Sequence, residues 1–422
     1  MAAPELTAAD VDAATARLAG VVQRTPLQFC PRLSEQTGAD VWLKREDLQP
    51  VRSYKLRGAY NLIAQLDDDA RAAGVVCASA GNHGQGVAMS CRLLGIHGRI
   101  HVPASTPRQK LDRMTDLGGP WVTLHVHGDT YDDAAAWAVA DANDNGGTLV
   151  PAFDDERIMA GQGTLAAEIM SQLGGPPDVL IIPVGGGGML SGCLAWMSER
   201  SPSTRVVGVE PAGAASMAAA LDDGGPVTLS HIETFVDGAA VKRAGDAPFR
   251  VIRDLGGRVT QVTEGRICSE MLALYQVDGI IAEPAGALAC AALGTPGRPG
   301  PVPVEAGQTV VAVVSGGNND VSRYSEIVER ALVWEGRKHY FMVDFPQEPG
   351  ALRRFLADVL GPTDDITLFE YVKRNNRETG PALVGIELGS PDDLPGLLDR
   401  MATSPMVVEK LESDSAFYRF LV

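Results

Sequence analysis

The chain has 422 residues, 45% of them hydrophobic and 21% charged, which is room for two or three domains and a large core. Its 36 basic against 53 acidic residues leave a formal charge of −17, and no basic stripe interleaved with aromatics is present, so a nucleic acid partner is not expected. No run of about eighteen apolar residues offers a membrane span, and the opening "MAAPELTAADVDAATARLAG" lacks the charged head and apolar core of a signal peptide, so the expected location is cytoplasmic.

From about residue 20 to 330, short β-branched runs alternate with Ala-rich amphipathic segments, the pattern of a parallel sheet covered by helices. Strands are predicted at "VWLKR" (41), "GVVCAS" (74), "RIHVP" (99), "DVLII" (178), "VVGVE" (206) and "TVVAVVSG" (309). Helices are predicted at "SYKLRGAYNLIAQL", "HGQGVAMSCRLLG", "GQGTLAAEIMSQLG" and "GMLSGCLAWMSE". The Pro/Gly-rich "GTPGRPGPVPVEAGQ" at 294 reads as a surface loop before the last strand. The fold class is α/β. Near residue 334 the pattern changes: "HYFMVDF", "PGALRRFLADVLG", "ITLFEYVKRN", "ALVGIELG", "LPGLLDRMAT" and "FYRFLV" follow as β-α-β-β-α-β, a ferredoxin-like α+β unit. The expected domains are 1–334 and 338–422.

Cys30, Cys77, Cys91, Cys193, Cys268 and Cys290 show no CxxC spacing or clustered histidine, so they read as buried reduced thiols and no metal site is expected. Chemistry points elsewhere. In "VRSYKLRGAY", Lys55 sits between Tyr54 and Leu56, bulky neighbours that suit an interior, where a lysine needs a partner or a purpose. "PVGGGGMLSG" follows a strand and opens a helix, so the amides of Gly185, Gly186, Gly187, Gly188 and Met189 suit a phosphate; a tight turn or a dinucleotide remain alternatives, although G-x-G-x-x-G spacing is absent. "ASAGNHGQG" presents Ser79, Asn82 and His83 at another strand end, where a plain helix cap with an exposed histidine is the bland alternative. "VVSGGNND" places Ser315 at a third, and ligands in such sheets collect at the carboxyl ends of strands. A phosphate cradle, a neutral hydroxyl and a lysine whose burial lowers its pKa are what an enzyme needs to hold pyridoxal phosphate as a Schiff base. A lysine on a helix surface is the commoner case for Lys55 taken alone.

In this order "SYKLRGAY", "SAGNHGQG", "PVGGGG", "EPAGA" and "SGGN" resemble the β-family, fold type II (tryptophan synthase β-like) pyridoxal phosphate enzymes, and within them the short biosynthetic threonine dehydratases, or threonine ammonia-lyases. The resemblance implies pyridoxal 5'-phosphate on Lys55, its phosphate on Gly185–Gly188 and Met189, its phenolic oxygen on Asn82 and its ring nitrogen on Ser315. It further implies that Ser79, Asn82 and His83 bind substrate, that Lys55 moves the α-proton, and that L-threonine, or L-serine, is dehydrated and deaminated. Glu283 of "EPAGA" is included as a less secure member. Many relatives have phenylalanine where this chain has Tyr54, which adds a hydroxyl. Racemases of this fold carry a second serine where this chain has Ala80, and an acidic metal cluster where "VEPAGAASM" offers only Glu210, so elimination without a metal is expected. The rivals are a catabolic serine/threonine deaminase and a serine racemase-like enzyme. The tail resembles the ACT-like regulatory domain of the same family, one copy rather than two, which implies feedback by isoleucine, opposed by valine, and a homotetramer.

Overall fold

The computed structural model describes residues 6–295, 297–373, 377–412 and 421. They divide into two units, Met1–Glu264 with Ala273–Asn319, and Gly265–Leu272 with Asp320–Val422.

In the first unit the apolar runs become strands because they are buried on both faces, as parallel strands between helices must be. Val179–Pro183 and Thr309–Val314 are the clearest cases, buried along nearly their whole length. They are central strands of a six-stranded sheet in the spatial order Leu27–Phe29, Asp40–Arg45, Thr309–Val314, Val179–Pro183, Arg205–Pro211, Arg258–Val262. Only the first pair is antiparallel. A second sheet is wholly parallel, in the order Val122–Val126, Gly98–Val102, Val75–Ala78, Thr148–Leu149. Each sheet has its own core: Leu180, Ile182, Leu190 and Val311 belong to the first, and Val75, Ile100, Leu62 and Val87 to the second.

Every predicted strand up to residue 314 forms, and Leu27–Phe29, Val122–Val126, Thr148–Leu149 and Arg258–Val262 are added. The additions are short or half exposed, mostly at sheet edges, so they carry no long apolar run to read. The helix expected over 53–66 is shorter, Lys55–Ile63, because Asp67 starts another at Asp68 by accepting from the Ala70 amide. The one expected from 161 begins earlier, at Glu156, where Asp155 caps it through the Arg157 amide. The described residues of the 294–308 segment form a loop, mostly exposed.

The second unit is an antiparallel sheet in the order Asp365–Tyr371, Thr379–Glu387, Lys338–Pro346, Val407–Lys410, the ferredoxin-like arrangement. Phe355 from the helix Ala351–Asp358 and Val359 just after it, with Leu397 and Met401 from the helix Leu394–Thr403, pack on Phe341, Val343 and Val384 of the sheet. The fourth strand is Val407–Lys410; the expected closing strand "FYRFLV" lies outside the described residues, except for Leu421.

Candidate active site

Three strand ends and one helix start meet in the first unit. Ser79 follows Val75–Ala78, Gly185 follows Val179–Pro183, and Ser315 follows Thr309–Val314. Lys55 opens its own helix, and the turn before it is stitched to the Ser315 strand end: Tyr54 N–H donates to Ser315 O at 3.1 Å, Gly317 N–H to Arg52 O at 2.9 Å, and Ser53 bridges Gly316. Arg52 accommodates the junction in the left-handed region, at φ 55°. Backbone pairing therefore sets Lys55 beside Ser315, although 260 residues separate them in sequence.

The result is a cavity of about 660 Å³, lined by Lys55, Ser79, Asn82, His83, Gly185, Gly186, Gly187, Gly188, Met189 and Glu283. A small recess lined by Lys55, Asn82, Glu283 and Ser315 adjoins it. Lys55, Ser79, Asn82, His83, Gly185–Gly188, Met189, Glu283 and Ser315, the candidate site residues of the sequence, come together here, in a cavity within the size range of small-molecule and cofactor sites.

The glycine run is a cradle that no side chain can enter. A Cβ on Gly186 would fall 2.3–2.4 Å from the Phe153 ring, and one on Gly188 would meet Phe153 backbone and Cβ at 3.0–3.1 Å. Gly187 sits at φ 96°, where an L side chain is strained, immediately before the 13-residue helix Gly188–Arg200. First-turn amides lack helical partners, so this end offers N–H donors and the positive pole of the helix to an anion.

Lys55 Nζ donates to Ala152 O at 3.0 Å and lies 5.3 Å from the Tyr54 ring centroid. Burial pushes its pKa down to about 8, opposed by the charge of Glu283. Glu283 is itself pushed up to about 7, by burial first and by Asp237 next, while Asn82 holds it back. Asn82 is fixed at both ends of its amide: Nδ2 donates to Glu283 Oε1 at 2.6 Å, and Oδ1 accepts from Asn318 Nδ2 at 2.6 Å. Asn318 also donates to Val51 O at 2.9 Å. Ser315 Oγ donates to Ala285 O at 3.2 Å.

The helix-cap alternative for "ASAGNHGQG" does not hold, because the cap residue is Gly81 and makes no side-chain cap bond. Ser79 Oγ instead accepts from the Gly81 amide at 3.2 Å, bending the turn toward the cavity. His83 is buried rather than exposed; Nε2 donates to Val150 O at 2.8 Å, and burial together with the Lys55 charge pushes its pKa down to about 3, so the ring is neutral. Ala80 lines the cavity and offers no hydroxyl. Glu210 lies elsewhere, buried, its carboxylate accepting from Met217 and Ala218 amides as a helix cap.

Sequence reasoning missed Phe153, Asn318 and Gln85. Phe153 walls the glycine cradle, Asn318 holds Asn82, and Gln85 lines the cavity with its buried Oε1 unpaired. Asn318 and Gln85 had a readable signal, since they stand in the strand-end motifs of Ser315 and Asn82; Phe153 had none.

Residues 18–316 match the family of pyridoxal-phosphate dependent enzymes, and residues 329–421 match the C-terminal regulatory domain of threonine dehydratase. The chain is 60% identical over 419 residues to the biosynthetic L-threonine dehydratase IlvA of Mycobacterium tuberculosis, covering 99% of this chain and 96% of that protein. The Bacillus subtilis protein of the same name is 48% identical over 402 residues, 95% of this chain and 94% of its own. Among solved structures, the processed form of threonine deaminase isoform 2 from Solanum lycopersicum superposes with a TM-score of 0.71 at 34% identity, over 76% of this chain and 92% of that one. Maize serine racemase gives 0.70 at 28% identity, over 78% and 98%.

Proposed function

The chain belongs to the pyridoxal-phosphate dependent enzymes, and from that premise we propose that it dehydrates and deaminates L-threonine to 2-oxobutanoate and ammonia, the first step of isoleucine synthesis. The observation that carries the reading is a lysine amine, pushed down toward neutrality, in one cavity with a glycine cradle closed to side chains. That donor set fits pyridoxal 5'-phosphate: Lys55 would hold its aldehyde carbon, Gly185–Gly188 and Met189 its phosphate, Asn82 its phenolic oxygen and Ser315 its ring nitrogen. When bound, the cofactor supplies an electron-withdrawing ring conjugated to the substrate nitrogen, which acidifies the substrate's Cα–H bond.

The chain's own groups do the rest. Ser79 and the amides of its turn bind the substrate carboxylate, which fixes the direction of the Cα–H bond. Lys55, with its pKa near 8, is partly neutral at physiological pH and takes the α-proton. Ser315 would meet the ring nitrogen with a neutral hydroxyl rather than a carboxylate, a partner that suits loss of the β-hydroxyl. The β-hydroxyl takes up one proton and leaves as water, balancing the α-proton that Lys55 has taken, and one water enters when the released enamine hydrolyses to 2-oxobutanoate and ammonia. Ala80 places no acid on the opposite face, so elimination is favoured over racemisation. Serine differs from threonine by one methyl and yields pyruvate by the same path.

The second unit supports feedback: isoleucine inhibits and valine opposes it, in a cytoplasmic homotetramer. Among the described residues no helix is long and apolar enough to cross a membrane. The test is 2-oxo acid release from L-threonine, with and without isoleucine, in the wild type and Lys55→Ala. Production that isoleucine suppresses and Lys55→Ala abolishes supports the whole reading. Production indifferent to isoleucine moves the role to catabolism, and a yellow protein without production overturns the threonine assignment.

A further inference from the structure

Beneath the Lys55 helix lie four charged side chains that the chemistry above does not use. Lys44, Glu46 and Arg57 are each at most 1% exposed, Glu168 is nearly buried, and none of the four lines the cavity. Arg57 grips Glu46 with a two-pronged fork, Nε to Oε2 at 2.8 Å and Nη2 to Oε1 at 2.7 Å. It also donates to Glu168 Oε2 at 2.9 Å and Thr164 Oγ1 at 3.1 Å. Lys44 Nζ fills its three donor positions with Glu168 Oε1 at 2.7 Å, Gln172 Oε1 at 2.9 Å and Thr25 O at 2.8 Å. Two positive and two negative charges thus tie the strand Asp40–Arg45, the 46–48 turn, the Lys55 helix and the helix Glu156–Leu173 into one network.

Stability alone does not account for such a cluster, because well-packed apolar residues in place of a buried ion network are commonly as stable or more so. What apolar packing lacks is direction, and a planar guanidinium fork has it. Arg57 is two residues from Lys55, in the first turn of the same helix. The backbone there is already tightly confined: a Cβ on Gly86 would meet the Lys55 carbonyl at 3.1 Å, and one on Gly161 would meet Arg57 O at 2.6 Å. Between these two neighbouring helices, rotation or sliding of the Lys55 helix is opposed by directional contacts: Gly58 N–H to Gln162 Oε1 at 3.2 Å, Asn61 Nδ2 to Arg157 O at 2.6 Å, and the fork, which adds a charged two-pronged bond in the first turn.

We propose that the Glu46–Arg57–Glu168–Lys44 network is a positioning device that sets the first turn of the Lys55 helix, and with it the direction in which the Lys55 amine enters the cavity. The proposal rests on the assignment of pyridoxal phosphate to Lys55 and not on which amino acid is the substrate. The test pairs Glu46→Leu/Arg57→Met, which leaves Lys44 and Glu168 matched, with the conservative Arg57→Lys. Apoenzyme is mixed with pyridoxal phosphate, the Lys55 adduct is trapped with borohydride at timed intervals and located by peptide mapping, and kcat and KM for threonine are measured alongside. The double variant is expected to melt within about 5 °C of wild type yet trap cofactor on Lys55 at least about tenfold more slowly, with kcat reduced similarly and KM within about threefold. Arg57→Lys, which keeps the charge and loses the fork, is expected to fall between. A folded double variant that traps cofactor at the wild-type rate overturns the proposal. If the double variant does not fold, Arg57→Lys decides, and a wild-type trapping rate in it overturns the proposal equally. A wild type that traps cofactor on Lys55 but releases no 2-oxo acid refutes the threonine reading while leaving this test intact, since trapping uses no substrate.

Discussion

Adding a single methyl group at Gly186 tests the cradle directly. An ideal Cβ there lies 2.3 Å from Phe153 Cγ and 2.4 Å from both Cδ atoms, where ordinary contact begins at 3.4 Å. Ring and loop must therefore part by about 1 Å, and such overpacking costs about 1–3 kcal/mol. If the loop is what moves, the phosphate amides move with it, and cofactor binding weakens by roughly 5- to 150-fold. Titration of apo Gly186→Ala with pyridoxal phosphate, followed by absorbance, gives the affinity. Phe153→Ala removes the ring atoms the new methyl meets, so the double variant Gly186→Ala/Phe153→Ala should recover most of the loss. Gly188→Ala is the internal control: its clashes are with Phe153 Cα, Cβ and O, which alanine retains, so the same second substitution should not rescue it. An unchanged affinity in Gly186→Ala, or equal rescue of both glycine variants, would refute the geometry argued for the cradle.

The remaining predictions concern charge, screening and the second unit. Because burial lowers the Lys55 pKa from 10.5 to about 8, the unfolded chain binds more protons between those values; the penalty is complete below about pH 8 and fades as pH rises through 10.5. Apo Lys55→Met should therefore be more stable than wild type at pH 7, by up to about 3 kcal/mol, with the gain shrinking toward pH 10.5 in urea unfolding; an equal gain at both pH values contradicts this. Lys110–Asp237 at 3.0 Å and Lys242–Asp132 at 3.1 Å tie the irregular 225–245 segment to the helices Arg108–Gly118 and Tyr131–Asn145 beside the cavity. They are solvent-screened pairs worth about 0.2–1 kcal/mol, so Asp237→Asn should change the threonine KM by less than about fivefold, and less still at 0.5 M salt; a larger effect in kinetic assays would assign Asp237 a direct role. Phe355 is fully buried and edge-on to Phe345 at 5.2 Å, so Phe355→Ala should destabilise the second unit by about 3–5 kcal/mol and remove isoleucine inhibition while threonine turnover persists; retained inhibition in dose–response curves would count against the regulatory assignment.

The site was more legible than the fold around it, for a physical reason. Glycines, a lysine and strand-end hydroxyls are unusual where they stand, and ligands gather at the carboxyl ends of parallel strands, so Lys55, Asn82, Gly185–Gly188 and Ser315 stood out as candidates; each had a commoner reading when taken singly, and it was the order of the motifs, through its resemblance to a family, that joined them into one site. The central strands were legible because burial on both faces leaves continuous apolar runs. Edge strands such as Val122–Val126 and Arg258–Val262 were not, since half exposure dilutes the run. Phe153 was illegible for another reason: its role depends on packing against Gly186, a contact between residues 33 apart that no local pattern encodes.

The two lysines in this unit show where local reading stops. Lys44 lies on a buried strand and Lys55 at the start of a buried helix, so burial alone does not pick out the nucleophile. Burial lowers both pKa values, although Glu46 and Glu168 counter the effect at Lys44. Partner geometry separates them. Lys44 has all three N–H groups committed to acceptors at 2.7–2.9 Å, two of them on helix Glu156–Leu173, so a lone pair on its nitrogen would require breaking that set. Among the described residues Lys55 makes a single hydrogen bond, to Ala152 O, and it faces the cavity. A lysine with saturated donors holds structure, and one with spare capacity next to an anion cradle can form a bond. The acceptors that saturate Lys44 come from residues 25, 168 and 172, and the carbonyl that leaves Lys55 underused comes from residue 152, so this distinction arises only once the chain has folded.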